Sequence, residues 1–180
     1  AGGTDAGAAY VFTRSGTTWT QQQKLASSDI AAGDYFGRCS AISGDTVVVG
    51  AYGDDHNYSS AGAAYVFTRS GTTWTQQAKL TASDPEASDY FGFRTAIDGD
   101  TVLVGAYSED TGGSNAGAAY IFTRSGTTWT QDKKIVASDG GASDNFGYGL
   151  GIDEDTLVVS APYEDSTANN AGAAYVFIAG

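Results

Sequence analysis

Apolar and polar residues alternate with period two in short runs, beginning with Ala8, Tyr10 and Phe12 against Ala9, Val11 and Thr13. That spacing predicts a strand, because successive side chains of a strand point to opposite faces. The glycine turn RSGTT (14–18) leads into TWTQQQKL (18–25), which sets Trp19 and Leu25 on one side and Thr20 and Lys24 on the other. Two such runs about a short turn predict a hairpin. A polar loop (26–35) is followed by FGRCSAIS (36–43), a tight GD turn and TVVVGAY (46–52). No stretch carries the period of a helix.

The same order of runs returns at a fixed interval. AGAAYVF begins at Ala6, Ala61 and Ala171, and AGAAYIF at Ala116, a spacing of 55 residues each time. The chain therefore reads as a single repeat domain, 1–180, with units 6–60, 61–115 and 116–170 and an extra terminal strand in 171–180. Each unit holds four short antiparallel strands, and four strands repeated radially describe a propeller blade. The expected fold class is all-β: a β-propeller of four-stranded antiparallel blades, about three blades per chain. Gly37, Ala41, Gly50 and Ala51 suit strands near the axis that are pressed on both faces, and Tyr10, Phe12 and Trp19 are expected to fill the wedge that widens outward. A parallel β-helix is disfavoured, since two-residue turns join antiparallel strands.

Composition narrows the partners. The 180 residues are 41% hydrophobic, enough to bury a core, and 21 acidic against nine basic residues give a net charge of −12. That potential repels phosphate backbones and anionic headgroups, so no nucleic acid is expected as a partner. No apolar run is long enough to span a bilayer, so no membrane insertion is expected. The first residues lack the blocks of a signal peptide, and the absence of Met points to processing or to an excerpt of a longer chain. Cys39 is the one cysteine, which leaves no intramolecular disulfide.

The phrases YFG, AISGDTVVVGAY and AGAAYVF, in that order, resemble the FG-GAP repeat of the integrin alpha-subunit β-propeller and its bacterial relatives. FG falls at Phe36-Gly37, Phe91-Gly92 and Phe146-Gly147; the GAP position falls at Gly50-Ala51-Tyr52, Gly105-Ala106-Tyr107 and Ser160-Ala161-Pro162. The resemblance implies that FG opens the innermost strand, GAP closes the second, AAYVF is the third and the Trp-containing strand is the outer fourth. The chain then starts on strands three and four of one blade, runs through two whole blades and stops after strand three of another. It also implies an interaction module of extracellular or cell-surface location. The calcium loop that integrin-type repeats often place between the first two strands has shrunk here to SGDT, DGDT and EDT, leaving pairs such as Asp98 with Asp100 and Asp153 with Asp155. No cofactor is expected, integrin-type calcium loops being absent; GDD, SED and YED leave only weak calcium binding open. Three blades fall short of the four to eight that close a ring, so other copies of the chain are expected as partners, with a six-bladed dimer favoured over other homo-oligomers.

Candidate chemistry is sparse. His56, the one histidine, lies in a polar loop beside Asp54 and Asp55, where a solvated role outweighs a catalytic triad. Cys39 reads as a small residue of the inner strand rather than a reactive thiol. Acids recur at Asp29, Asp84 and Asp139, at Asp34, Asp89 and Asp144, and at Asp55, Asp110 and Asp165. An active site is built once, so acids kept in every unit read as turn caps. Asn57-Tyr58-Ser59 is a glycosylation sequon.

The units differ mainly in two connections, 27–34 with 82–89 and 137–144, and 53–60 with 108–115 and 163–170, which this topology places on one face. The candidate ligand face carries Tyr35, Tyr58, Tyr90 and Tyr163 among Asp54, Asp55, Glu109, Asp110, Glu164 and Asp165. The expected function is non-catalytic binding of protein or glycan through that face. The alternative is a structural repeat protein, natural or engineered, whose open blade edges join chains into closed rings or polymers.

Overall fold

A computed structural model describes residues 3–165 and 168–178. They form thirteen strands and no helix. A two-stranded sheet pairs β1 (Ala9–Ser15) with β2 (Thr18–Leu25). A four-stranded blade follows, in the order β3 (Ser40–Ser43), β4 (Thr46–Ala51), β5 (Ala63–Ser70), β6 (Thr73–Leu80). The next repeats it with β7 (Arg94–Asp98), β8 (Thr101–Ala106), β9 (Ala118–Ser125) and β10 (Thr128–Ile135). Three strands end the chain: β11 (Gly149–Asp153), β12 (Thr156–Ala161) and β13 (Ala173–Ile178). Every paired neighbour is antiparallel, and within each sheet a strand pairs with the next in sequence, as in a propeller blade. The blades form an open arc.

The second strand of each whole blade is covered on both faces. All six residues of β4 are buried, which is why TVVVGA reads as an unbroken apolar run instead of an alternating one. Phe36, Phe91 and Phe146 of the FG phrases are also buried, and each meets the Tyr and Phe of its own third strand edge-on, as Phe36 does Tyr65 and Phe67. The same FG segment reaches back to the preceding blade through a short parallel bridge, Gly62 to Phe91 and Gly117 to Phe146. The phenylalanine thus welds two blades. Blades also touch backbone to backbone at Gly50 and Gly105, where a Cβ would lie 1.9 and 2.2 Å from the carbonyl oxygens of Gly92 and Gly147. Only glycine fits there.

Three expectations are corrected. The inner strand is shorter than 36–43, because Phe36 and Gly37 belong to the interblade bridge and turn and the strand proper starts at Ser40. Trp and Leu of the outer strand do not share a side: a β-bulge shifts the register opposite Val66 and Phe67, so Trp74 packs towards the preceding hairpin and Leu80 towards the following blade. A single outer strand thereby serves both neighbours. Finally, the wedge is filled in whole blades but not in the first hairpin, where Trp19 is 63% exposed against 4% for Trp74. Tyr10 and Phe12 are half exposed for the same reason: strands one and two of their blade are not beside them.

Candidate functional site

The two variable loop sets meet on one face. Ser88 and Tyr90, in the loop before β7, donate their amides to the carbonyls of Ser59 and Ser60 in the loop after β4 (2.9 and 3.2 Å). Asp34, Asp89 and Asp144 brace the first set from inside, accepting the amides of Ala31, Glu86 and Gly141 at 2.7–2.8 Å. Asp55 and Asp110 brace the second by accepting the amides of Ser60 and Asn115 (2.6 Å each). These acids hold turns, as short carboxylates do.

A second set of acids ties both loops to the sheet. Tyr65 is buried on β5, and its single hydroxyl hydrogen lies between Asp29 Oδ1 and Asp54 Oδ2, both at 2.8 Å. Lys79 on β6 donates to Asp29 Oδ2 at 2.7 Å and Asp54 Oδ2 at 2.9 Å. The next blade repeats the arrangement: Tyr120 donates to Asp84 Oδ1 (3.0 Å), and Lys134 reaches Asp84 (2.7 Å) and Glu109 (2.8 Å). In the last blade Tyr175 donates to Asp139 (2.7 Å), and Glu164 is buried at the position of Asp54 and Glu109. Burial alone would raise the pKa of Asp29 and Asp84, but the lysine and tyrosine bonds outweigh it and hold both below the ordinary value. Burial, with carboxylates beside the hydroxyls, pushes Tyr65 and Tyr120 far above the usual phenol range. Asp54, Glu109 and Glu164 therefore lie beneath the loop face rather than on it.

The face exposes tyrosines among polar and acidic residues. Tyr58 and Tyr163 project from the loops after β4 and β12, and Asp55, Asp110 and Asp165 are exposed beside them. Nearer the inner strands runs a continuous file of rings: Tyr35 stacks on Tyr52 (5.0 Å), Tyr52 meets Tyr90 edge-on (5.7 Å), and Tyr90 stacks on Tyr107 (5.5 Å). Phe93 lies beneath, 4.4 Å from Tyr107 and 5.2 Å from Tyr148. Arg38 and Arg94 rest over the Phe93 ring at 4.6 and 4.8 Å. Tyr35 and Tyr90 take a left-handed backbone (φ 53° and 56°), which turns each ring onto its neighbour. Tyr52, Phe93, Tyr107 and Tyr148 are additions to the sequence-predicted face; the repeat grid carried their signal in GAY and in the residue after FG. Next to Tyr58 a cavity of about 740 Å³ is lined also by Asn57, Asp84, Pro85 and Glu86.

The remaining candidates show structural contacts. His56 is exposed and gives its backbone amide to Asp54 Oδ1 (3.0 Å). The Cys39 thiol donates to the Gly92 carbonyl (3.3 Å), and burial pushes its pKa up. Asp98 accepts the amide of Glu154 (2.8 Å), and Asp100 pairs with Arg124. Among the described residues no three His, Cys, Asp or Glu side chains group as metal ligands. Asp89 is the most perturbed acid: burial, with the charge of Glu109, lifts it to about 6 against the bond from the Glu86 amide.

A family model described as FG-GAP repeat matches residues 19–67, 74–122 and 129–177. The chain belongs to the FG-GAP repeat family. Each match runs from the outer strand of one blade to the third strand of the next, so it spans the interblade weld at Phe36, Phe91 and Phe146. The repeats support an integrin-like β-propeller type of module, and such repeats are typical of extracellular proteins. No curated protein matches the chain.

Proposed function

We propose that this FG-GAP repeat chain is a non-catalytic binding module, extracellular or on the cell surface, that takes a protein or glycan ligand on its loop face. The observation that supports the reading most is the file of rings from Tyr35 through Tyr52 and Tyr90 to Tyr107, with Tyr58 and Tyr163 exposed outside it. Aromatic rings held on a stiff frame offer large contact area at low entropic cost, and both peptides and sugar rings stack on them. The frame is stiff because the loops above it are pinned by Lys79, Lys134 and the turn-capping acids. The test is a glycan and protein array probed with the whole chain. A ligand lost in Tyr58→Ala, Tyr90→Ala or Tyr163→Ala proteins with unchanged circular dichroism is expected; a ligand indifferent to all three overturns the reading.

A second reading, self-assembly through open blade edges, has its own support. Of the large apolar side chains that are exposed, Tyr10, Phe12, Trp19, Ile42, Val158, Val176 and Ile178 all lie at the two open ends of the arc. Exposed edges and faces of this kind are templates for pairing.

A further inference from the structure

We infer that the β1–β2 hairpin of a second copy displaces β13 and completes the last blade, so that two chains close into one six-bladed ring. The inference rests on the assembly reading and names its contacts. It comes from the repeat grid: four side-chain contacts that join an outer hairpin to its surroundings inside the chain recur with one half at each open end.

Four contacts make the case. Arg69 pairs with Asp45 and Arg124 with Asp100 in the two whole blades; the leftover halves are Arg14 and Asp155. Lys79 and Lys134 bind Asp29 and Asp84 through Oδ2; Lys24 and the Oδ2 of Asp139, whose Oδ1 takes the Tyr175 hydroxyl, are the matching halves. The indole N–H of Trp74 donates to Gln22 of the preceding outer strand, and that of Trp129 to Gln77 (2.8 Å each); Trp19 and Asp132 are left, and a carboxylate accepts from an indole as an amide oxygen does. Gln76 clasps Ser28 and Gln131 clasps Ser83; Gln21 and Ser138 are left. Among the described residues Arg14 and Lys24 make no ion pair and rest only over Trp19 and Tyr10. The sign of every leftover charge on the hairpin is opposite to that on the last blade.

Register and shape agree. Residues 6–12 and 171–177 are the same seven-residue phrase, so β1 of a partner can take the place of β13 with Val11 opposite Val158, where Val176 now stands. β13 itself ends differently, with Ile178 where Thr13, Thr68 and Thr123 stand and Ala179 where Arg14, Arg69 and Arg124 stand, so it lacks the arginine that Asp155 would take. A groove of about 630 Å³, lined by Asp132, Ile135, Asp155, Leu157 and Phe177 among others, runs along this edge, where an outer strand and its Trp would lie. Two chains of three blades give a number that closes as a propeller, and the exchange is two-fold symmetric.

One residue resists. Ser160 stands where Gly50 and Gly105 let the next blade approach, and in the ring its Cβ would press on the carbonyl of a partner glycine equivalent to Gly92 and Gly147. The joint between chains is therefore looser than the joints within them, and Ser160→Gly should tighten it.

The test is the mass of the full 180-residue chain by light scattering over a range of concentrations, with disulfide trapping. Expected are a dimer, its dissociation constant raised about tenfold or more in Lys24→Glu, which sets like charges together, and lowered in Ser160→Gly. In a Cys39→Ser background, Val11→Cys combined with Val158→Cys should oxidise to a disulfide-linked dimer, because the two positions face each other only after exchange. A monomer at every concentration overturns both the assembly reading and the exchange. A dimer that neither crosslinks through the two introduced thiols nor weakens in Lys24→Glu overturns the exchange alone. Native near-ultraviolet circular dichroism of Lys24→Glu separates loss of the joint from loss of the fold.

Discussion

Replacing Lys79 by Met isolates the contact that fastens the loop face to the sheet. The Met side chain keeps most of the apolar stem and removes the ammonium that lies 2.7 Å from Asp29 and 2.9 Å from Asp54. The two acids differ in what they lose. The Asp29 side chain is 44% exposed and can turn to water, so its share is at most about 1 kcal/mol. Asp54 is 5% exposed, and stripping one partner from a buried pair costs about 3–5 kcal/mol when nothing replaces it. Asp54 keeps the Tyr65 hydroxyl and the His56 amide, which offset part of that loss. The expected destabilisation is about 2–4 kcal/mol, read by urea unfolding followed through tryptophan fluorescence. Lys24→Met is the control: Lys24 has only the Tyr10 ring at 5.9 Å, so about 0.5 kcal/mol is expected in the monomer. Lys79 helps to hold Asp29 below its ordinary pKa, so the stability it gives through Asp29 is present at neutral pH and lost as the pH falls through the carboxylate range; the deficit of Lys79→Met should therefore shrink on acidification. A Lys79→Met protein no weaker than Lys24→Met, or one whose deficit grows on acidification, would refute the reasoning.

Three other outcomes follow from the geometry. Gly50→Ala places a methyl group 1.9 Å from the Gly92 carbonyl oxygen and should cost about 3 kcal/mol, whereas Gly44→Ala meets nothing within 4 Å and should cost about 1 kcal/mol for its positive φ; thermal unfolding compares them. Glu154 holds, at φ 49°, the turn position that Gly44 and Gly99 hold in the other units, so Glu154→Gly should gain about 0.5–1 kcal/mol in the same assay. Asp89, with a folded pKa of about 6 above an unfolded value of 3.8, gives stability that is whole below pH 4 and is lost as the pH rises through 6. Asp89→Asn can keep the Glu86 amide bond and should escape that loss, so its advantage over the parent should appear between pH 4 and 6 and reach at most about 3 kcal/mol; a difference flat with pH would count against the buried charge.

Much of the fold is legible in the sequence because the chain repeats itself. Period-two runs and the 55-residue grid set strand number, order and blade membership, since each run recurs with its own turn. Face and depth were harder. The bulge opposite Val66 and Phe67 has no composition of its own, so Trp19 and Leu25 looked like one face when they are two. Asp54 looked like a loop acid because three polar residues follow it, yet Lys79, 25 positions on, draws it under the face. Tyr52, Phe93, Tyr107 and Tyr148 were hidden because they fall at strand ends, where alternation stops and left-handed backbone decides where the neighbouring rings of Tyr35 and Tyr90 go.

The same geometry explains how the repeats stay nearly identical while their loops differ. Every blade must present the Phe weld, the bulged outer strand and the Tyr–Asp–Lys tie to a neighbour that presents the complement, so a change in any of them has to be matched one unit away. Loop residues such as His56, Asn57 and Tyr58 against Gly112 and Gly113 carry no such obligation, because these loops are tied through backbone amides and carbonyls and through the Asp55 and Asp110 caps, which do not depend on the side chains that vary. Variation is thus concentrated on the face where the exposed tyrosines lie, and it can proceed there without disturbing the joints that hold the arc together.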